Sequence, residues 1–166
     1  VNERNKWATP VEFFEPLHEV FGFDLDVCAA PETAKVPHFF GEAEDGLAQD
    51  WSGYRCWMNP PYGLGLINHW VEKAARTTQR SGSNCLVVAL LPARPGSGWF
   101  HEWVLPYAQL FFVRGRVQFI PPSEKVKKSS NPQDSIIAVY DSGGNDWENA
   151  MQSTELVAPL CLCGGH

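Results

Sequence analysis

The hydrophobic pattern changes period several times along the chain, and each change marks an element. Phe13, Phe14, Leu17, Val20 and Phe21 recur at helical spacing. Ahead of them, Thr9-Pro10-Val11-Glu12 has the form of a helix start: Thr9 as N-cap, Pro10 in the first helical position, Glu12 closing a capping box. Pro16 falls inside this helix and should kink it or delay its regular part, and Gly22 should end it. Phe23 to Ala29 alternates apolar and acidic residues and predicts a strand closed by Pro31, with a solvated acidic face or with a carboxylate delivered to a ligand. His38-Phe39-Phe40 fits a short strand, and Gly41 to Asp50 an acidic loop.

Arg55 to Met58 predicts a further strand, and Leu66, Ile67, Trp70, Val71, Ala74, Ala75 and Thr78 an amphipathic helix. Asn84 to Leu91 is nearly all apolar, the pattern of a central strand covered on both faces. Trp99 to Val104 reads as a short helix. Leu110 to Val113 and Val117 to Ile120 read as two strands divided by Arg114-Gly115-Arg116, and Ser135 to Tyr140 as the last strand. The tail either carries a short helix near residues 147–152 or stays disordered. Strands that alternate with helices, then follow one another directly, predict an α/β domain in three layers with a hairpin at one edge. No repeat or boundary divides residues 1–166, which read as one domain with a core over 7–140 and a tail over 141–166.

Composition narrows the partners rather than the fold. Hydrophobic residues make up 44% and charged residues 19%, the balance of a soluble globular chain. No apolar run approaches a membrane span and no signal segment opens the sequence, which sets a cytoplasmic expectation. The net charge of −6 argues against binding nucleic acid by bulk electrostatics and leaves room only for a local basic face. Cys28, Cys56 and Cys85 lie in apolar runs as buried thiols. Cys161 and Cys163 lack both disulfide geometry and the spacing of a zinc site, so no metal is expected even with His166 nearby.

Asn59-Pro60-Pro61-Tyr62 ends the Arg55 to Met58 strand. Two prolines fix the backbone, withhold two amide donors and keep Asn59 extended. Such a corner offers carbonyl oxygens and an aromatic face to a flat, amino-bearing ring; it would equally serve as a plain strand-to-loop turn.

These segments together resemble the phage-type DNA N6-adenine methyltransferases, small S-adenosyl-methionine enzymes related to the Dam proteins. The resemblance covers Trp7 to Tyr140. It rests on Trp-x-Thr-Pro at Trp7 to Pro10, Asp-Val-Cys-Ala at Asp26 to Ala29, Asp-Gly-Leu…Trp at Asp45 to Trp51 and the Asn-Pro-Pro-Tyr corner. It continues with Leu-Pro-Ala-Arg at Leu91 to Arg94, Gly-Arg-x-x-Phe at Gly115 to Phe119 and the Ser135 to Tyr140 strand. It implies a Rossmann-like class I methyltransferase fold, three-layer αβα, with a mostly parallel seven-stranded sheet and an antiparallel edge hairpin. It implies catalysis by Asn59, Pro60, Pro61 and Tyr62 on an adenine flipped from double-stranded DNA. S-adenosyl-methionine would be held by Trp7, Thr9, Pro10, Asp26, Cys28 and Ala29. Asp26, Asp45 and Asp50 compete for its ribose, since Ala29-Ala30-Pro31 stands where relatives of this fold carry a glycine-rich loop. Arg94, Arg114, Arg116, Lys125, Lys127 and Lys128 would contact DNA, although the loop around Arg94 departs from relatives, Arg114 and Arg116 read equally as surface charge on a hairpin, and the three lysines read more readily as a solvated loop. The setting implied is the cytoplasm of a bacterial or phage-infected cell, with no obligate protein partner. A methyltransferase acting on RNA or protein glutamine, or a catalytically inactive nucleic-acid-binding relative, fits the same corner.

Overall fold

The computed structural model describes residues 7–63, 65–121, 133–144 and 146–159. Helix α1 (Val11–Phe21) leads into β1 (Leu25–Asp26), and β2 (Arg55–Met58) is joined through α2 (Leu66–Gln79) to β3 (Leu86–Pro92). A wide helical segment, Phe100–Val104, precedes β4 (Gln109–Val113), β5 (Ser135–Asp141), α3 (Glu148–Gln152) and β6 (Val157–Pro159). Its Leu105 amide donates to the Phe100 carbonyl at 2.9 Å, the five-residue spacing of a π-helix.

One sheet holds the strands in the order β1-β2-β3-β5-β4-β6. The pairs β1–β2 and β2–β3 are parallel; β5 pairs antiparallel with both β3 and β4, and β6 pairs antiparallel with β4. Strands β1 to β4 therefore point one way, and their carboxyl ends share one edge. Six strands form among the described residues, against the seven expected.

The expected hairpin of residues 110–113 with 117–120 does not form. Both edges of β4 are already hydrogen-bonded, one to β5 and the other to β6, a strand that follows the short tail helix expected near residues 147–152 and found as α3. Gly115 turns at φ 74°, Val117 is buried, and Ile120 pairs instead with Ala8 through two hydrogen bonds of 2.9 Å.

Alternation along β3 divides the core. Val87, Ala89 and Leu91 pack with Ile67, Trp70, Val71 and Ala74 of α2 and with Phe100 and Val104. Leu86, Val88 and Leu90 join Phe13, Phe14, Leu17 and Phe21 of α1 and Met151 of α3. Helix α1 runs through Pro16, which can offer no amide to Glu12. Burial of its four apolar side chains compensates, each worth roughly 1.5–3 kcal/mol. Gly22, at φ 59°, ends it in the left-handed region. The capping box is absent: Pro10 is the cap, no side chain bonds to the helix start, and Thr9 is turned elsewhere.

Strand β1 has only two residues, and polar contacts hold its continuation. The Asp26 carboxylate accepts the Lys35 amide at 3.1 Å and the Cys28 amide at 3.4 Å, tying the returning chain to the strand end. Residues 38–40 pair beside β1, with the Asp26 amide donating to His38 and the Phe40 amide to the Asp26 carbonyl. Gly46 is pressed onto β1 so closely that a Cβ there would lie 2.0 Å from the Val27 carbonyl oxygen, and its own carbonyl accepts the Trp51 indole at 2.9 Å. The Asp-Gly-Leu…Trp segment is thus a brace for β1.

Replacing Gly46 with Ala should lower stability by roughly 2 kcal/mol or more, because the obstacle is backbone; chemical denaturation of the variant measures it. Burial raises the Asp26 carboxyl to about 6 from 3.8, against the pull of the Lys35 and Cys28 amides. The folded state then binds this proton more tightly than the unfolded chain, so stability contributed here falls as pH rises from about 4 to about 6. The loss is on the order of 3 kcal/mol. Asp26→Asn should flatten that window in a pH series of denaturation midpoints.

Candidate active site at the carboxyl edge of the sheet

Parallel pairing sets Asp26 opposite Trp57, so the chains leaving β1 and β2 emerge side by side. Cys28 and Asn59 meet there. Burial, then the negative charge of Asp26, pushes the Cys28 thiol well above its ordinary pKa, with the Asn59 backbone amide acting the other way. That thiol stays protonated and is no nucleophile. Between the two strand ends lies a narrow polar pocket of about 20 Å³. One wall is Asp26, Cys28, Ala29, Thr33 and Lys35; the other is Trp57, Asn59 and the incoming segment Trp7-Ala8-Thr9.

The Asn59 carboxamide is engaged at both ends. Its Nδ2 donates to Thr9 Oγ1 at 3.2 Å, and its Oδ1 lies 3.2 Å from the Tyr62 hydroxyl. That hydroxyl also reaches the Leu90 carbonyl at 2.9 Å, so one proton is shared between two acceptors and Asn59 Oδ1 keeps a lone pair for another donor. Burial pushes the Tyr62 phenol well above its usual range, keeping it a donor. The Tyr62 ring is half-buried and meets Phe119 edge to face, with centroids 6.5 Å apart.

The structure brings Trp7, Thr9, Asp26, Cys28 and Ala29 to one pocket with Asn59. Pro10 caps α1 next to it. Asp45 and Asp50 are not brought there. Asp45 sits at φ 50° with its carboxylate on the Leu47 amide. Asp50 is exposed and bonds Ser52 and Arg80, the cap residue of α2, at the amino edge of the sheet. The Ser52 and Arg80 bonds hold its carboxyl down at about 2. Neither lines this pocket.

Arg94 follows β3 and Arg114 and Arg116 follow β4, so all three leave the edge that carries Asn59. Arg94 donates to Gln133 at 3.0 Å and Arg116 lies 3.4 Å from Asp134, both exposed contacts. Lys125, Lys127 and Lys128 lie outside the described residues, as do Cys161, Cys163 and His166. Lys35 and Thr33 are pocket residues that sequence reasoning missed, because residues 30–37 carry no period and Lys35 stands six positions beyond the end of the Asp26 to Ala29 motif. Burial lowers the Lys35 ammonium from its ordinary pKa, with Asp26, Glu12 and Glu15 opposing. Among the described residues no group of three or more His, Cys, Asp or Glu could hold a metal ion, and no helix is long and apolar enough to cross a membrane.

The family model described as DNA N-6-adenine-methyltransferase (Dam) matches residues 1–154. A DNA N-6-adenine-methyltransferase of Haemophilus phage HP1 (strain HP1c1) is 32% identical over 137 residues, covering 80% of this chain and 77% of the phage protein. With a match over nearly the whole sequence and an Asn-Pro-Pro-Tyr corner beside a closed-in pocket, the chain belongs to the Dam family of DNA N6-adenine methyltransferases.

Proposed function

We propose that this chain transfers the methyl group of S-adenosyl-methionine to N6 of an adenine flipped out of double-stranded DNA, with Asn59, Pro60, Pro61 and Tyr62 as the catalytic corner. The observation that carries the reading is the adjacency of the Asn59 carboxamide to the β1 pocket, on the one edge where four strands end. In the fold this supports, the sheet with its two separate apolar cores is a three-layer class I methyltransferase, and the whole chain is one such domain.

The pocket residues suit the cofactor. It carries an amino-acid end, a ribose and a flat purine, and this wall offers a cation at Lys35, a carboxylate at Asp26 and an indole at Trp7. Lys35 would hold the carboxylate of the amino-acid end. Asp26 would hold the ribose, since each of its oxygens retains a lone pair after accepting one backbone amide. Thr9, Pro10, Cys28 and Ala29 complete the wall. When bound, the cofactor supplies an electrophilic methyl on sulfur.

The residues of the chain supply orientation. An exocyclic amine conjugated to a purine is a poor nucleophile because its lone pair is delocalised into the ring. Asn59 Oδ1 and the Pro60 carbonyl accept its two hydrogens, which favours the pyramidal amine and frees the lone pair. No strong base is needed, and positioning with preorganised dipoles does the work. Pro61 stiffens the corner, and the Tyr62 ring stacks on the flipped base, offsetting part of the few kcal/mol of unstacking. Arg94, Arg114 and Arg116, with Lys125, Lys127 and Lys128 in the connection that follows, hold backbone phosphates in a salt-dependent contact. The working compartment is the cytoplasm of a bacterial or phage-infected cell.

Tritiated-methyl transfer to duplex DNA, RNA and protein tests the substrate: label is expected in DNA adenine, and label in RNA or protein alone would overturn the reading. Asn59→Ala should lower transfer by about 10²–10³-fold, the usual cost of losing one preorganised group. Lys35→Met should weaken cofactor binding by about tenfold or more in isothermal titration, the worth of a charge-assisted hydrogen bond.

A further inference from the structure

We infer that Thr9 is a positioning residue, holding the Asn59 carboxamide in the one rotation in which it can accept the target amine. The inference rests on the role proposed above for Asn59. A carboxamide has an acceptor at one end and two donors at the other, and a half-turn about its last bond exchanges them. Facing an amine, the wrong end presents N–H to N–H and accepts nothing. A catalytic Asn therefore needs partners that fix its rotation.

Thr9 is built for this. Only 1% of it is exposed, so water does not compete for its hydroxyl. Its Oγ1 takes the Asn59 Nδ2 hydrogen at 3.2 Å, turning Oδ1 toward Tyr62 and the open corner. The backbone on either side is anchored: Ala8 by the two hydrogen bonds with Ile120, and Pro10 by its carbonyl, which accepts the Phe13 and Phe14 amides at 3.2 and 3.1 Å. A hydroxyl can donate as well as accept, so this anchored group holds the rotation jointly with Tyr62, whose hydroxyl donates to Oδ1. The Thr-Pro pair also explains itself: the fixed φ of Pro10 starts α1 without a side-chain cap, which leaves the Thr9 hydroxyl free to face Asn59.

Thr9→Val keeps the shape and removes the acceptor; Thr9→Ser keeps the acceptor. Single-turnover methyl transfer to duplex DNA, with cofactor affinity by titration and thermal midpoint on the same samples, separates the possibilities. The expected result, at saturating cofactor, is a fall of about ten- to a hundredfold in the transfer rate for Thr9→Val, over and above any loss of cofactor affinity at this pocket wall. Thr9→Ser should restore most of the rate. A Thr9→Val variant that transfers at the parent rate overturns the inference. So does one whose loss lies wholly in cofactor affinity, which would make Thr9 a wall of the pocket only, or one that Thr9→Ser fails to rescue. If the parent chain itself places no label on DNA adenine, the functional reading fails first, and that outcome is distinct.

Discussion

Parallel pairing between β1 and β2 is the constraint on which the site depends. Two parallel strands end at the same edge, and the register of Asp26 with Trp57 decides that what leaves β1 meets what leaves β2. A slip of one residue would turn Trp57 out of its core and carry Asn59 away from the pocket wall. Strand β1 contributes only two residues to that pairing, too few to hold a register alone. The chain compensates with a buried carboxylate, a glycine jammed against a backbone carbonyl and a tryptophan clipped to that glycine. Much of the sequence between residues 26 and 51 exists to keep two residues of strand in place.

The elements that were legible in sequence are those whose pattern and environment agree. Strand β3 reads as apolar throughout because both of its faces are covered, and α2 shows its buried stripe at helical spacing. The Asn59 corner was legible because two prolines after a strand admit few conformations. What escaped reading depended on partners distant in sequence. Thr9 has every local property of an N-cap, yet its hydroxyl goes to a carboxamide fifty positions away. Val117 to Ile120 looks like a strand, but β6 already occupies the edge it would need. The short β6 itself follows α3 by four residues and carries no alternation to announce it. Lys35 is one cation in an aperiodic loop, and only the fold of that loop back onto Asp26 makes it a pocket residue. The ribose question was left open among three acids; of these Asp26 alone lines the pocket, while the Asp45 carboxylate turns back on the Leu47 amide and Asp50 sits in an exposed ion pair.

Family membership and geometry answer different questions here. The match over residues 1–154 says which reaction class the chain belongs to. The contacts say why particular residues stand where they do, and they divide the shared motifs by task. Asp26 to Ala29 and Trp7 to Thr9 shape the pocket beside Asn59, and Asp45 to Trp51 buttress it.

The Ala8–Ile120 bridge joins backbone more than a hundred residues apart. Contacts of such sequence separation carry a large loop-closure cost, which the rest of the fold must offset. The corner around Asn59 therefore depends on two distant stretches that the sheet brings together. A partly folded chain could own its strands and its helices and still lack the site. Competence to react with DNA is in this sense a readout of completed topology, and a nascent or misfolded copy is silent by construction.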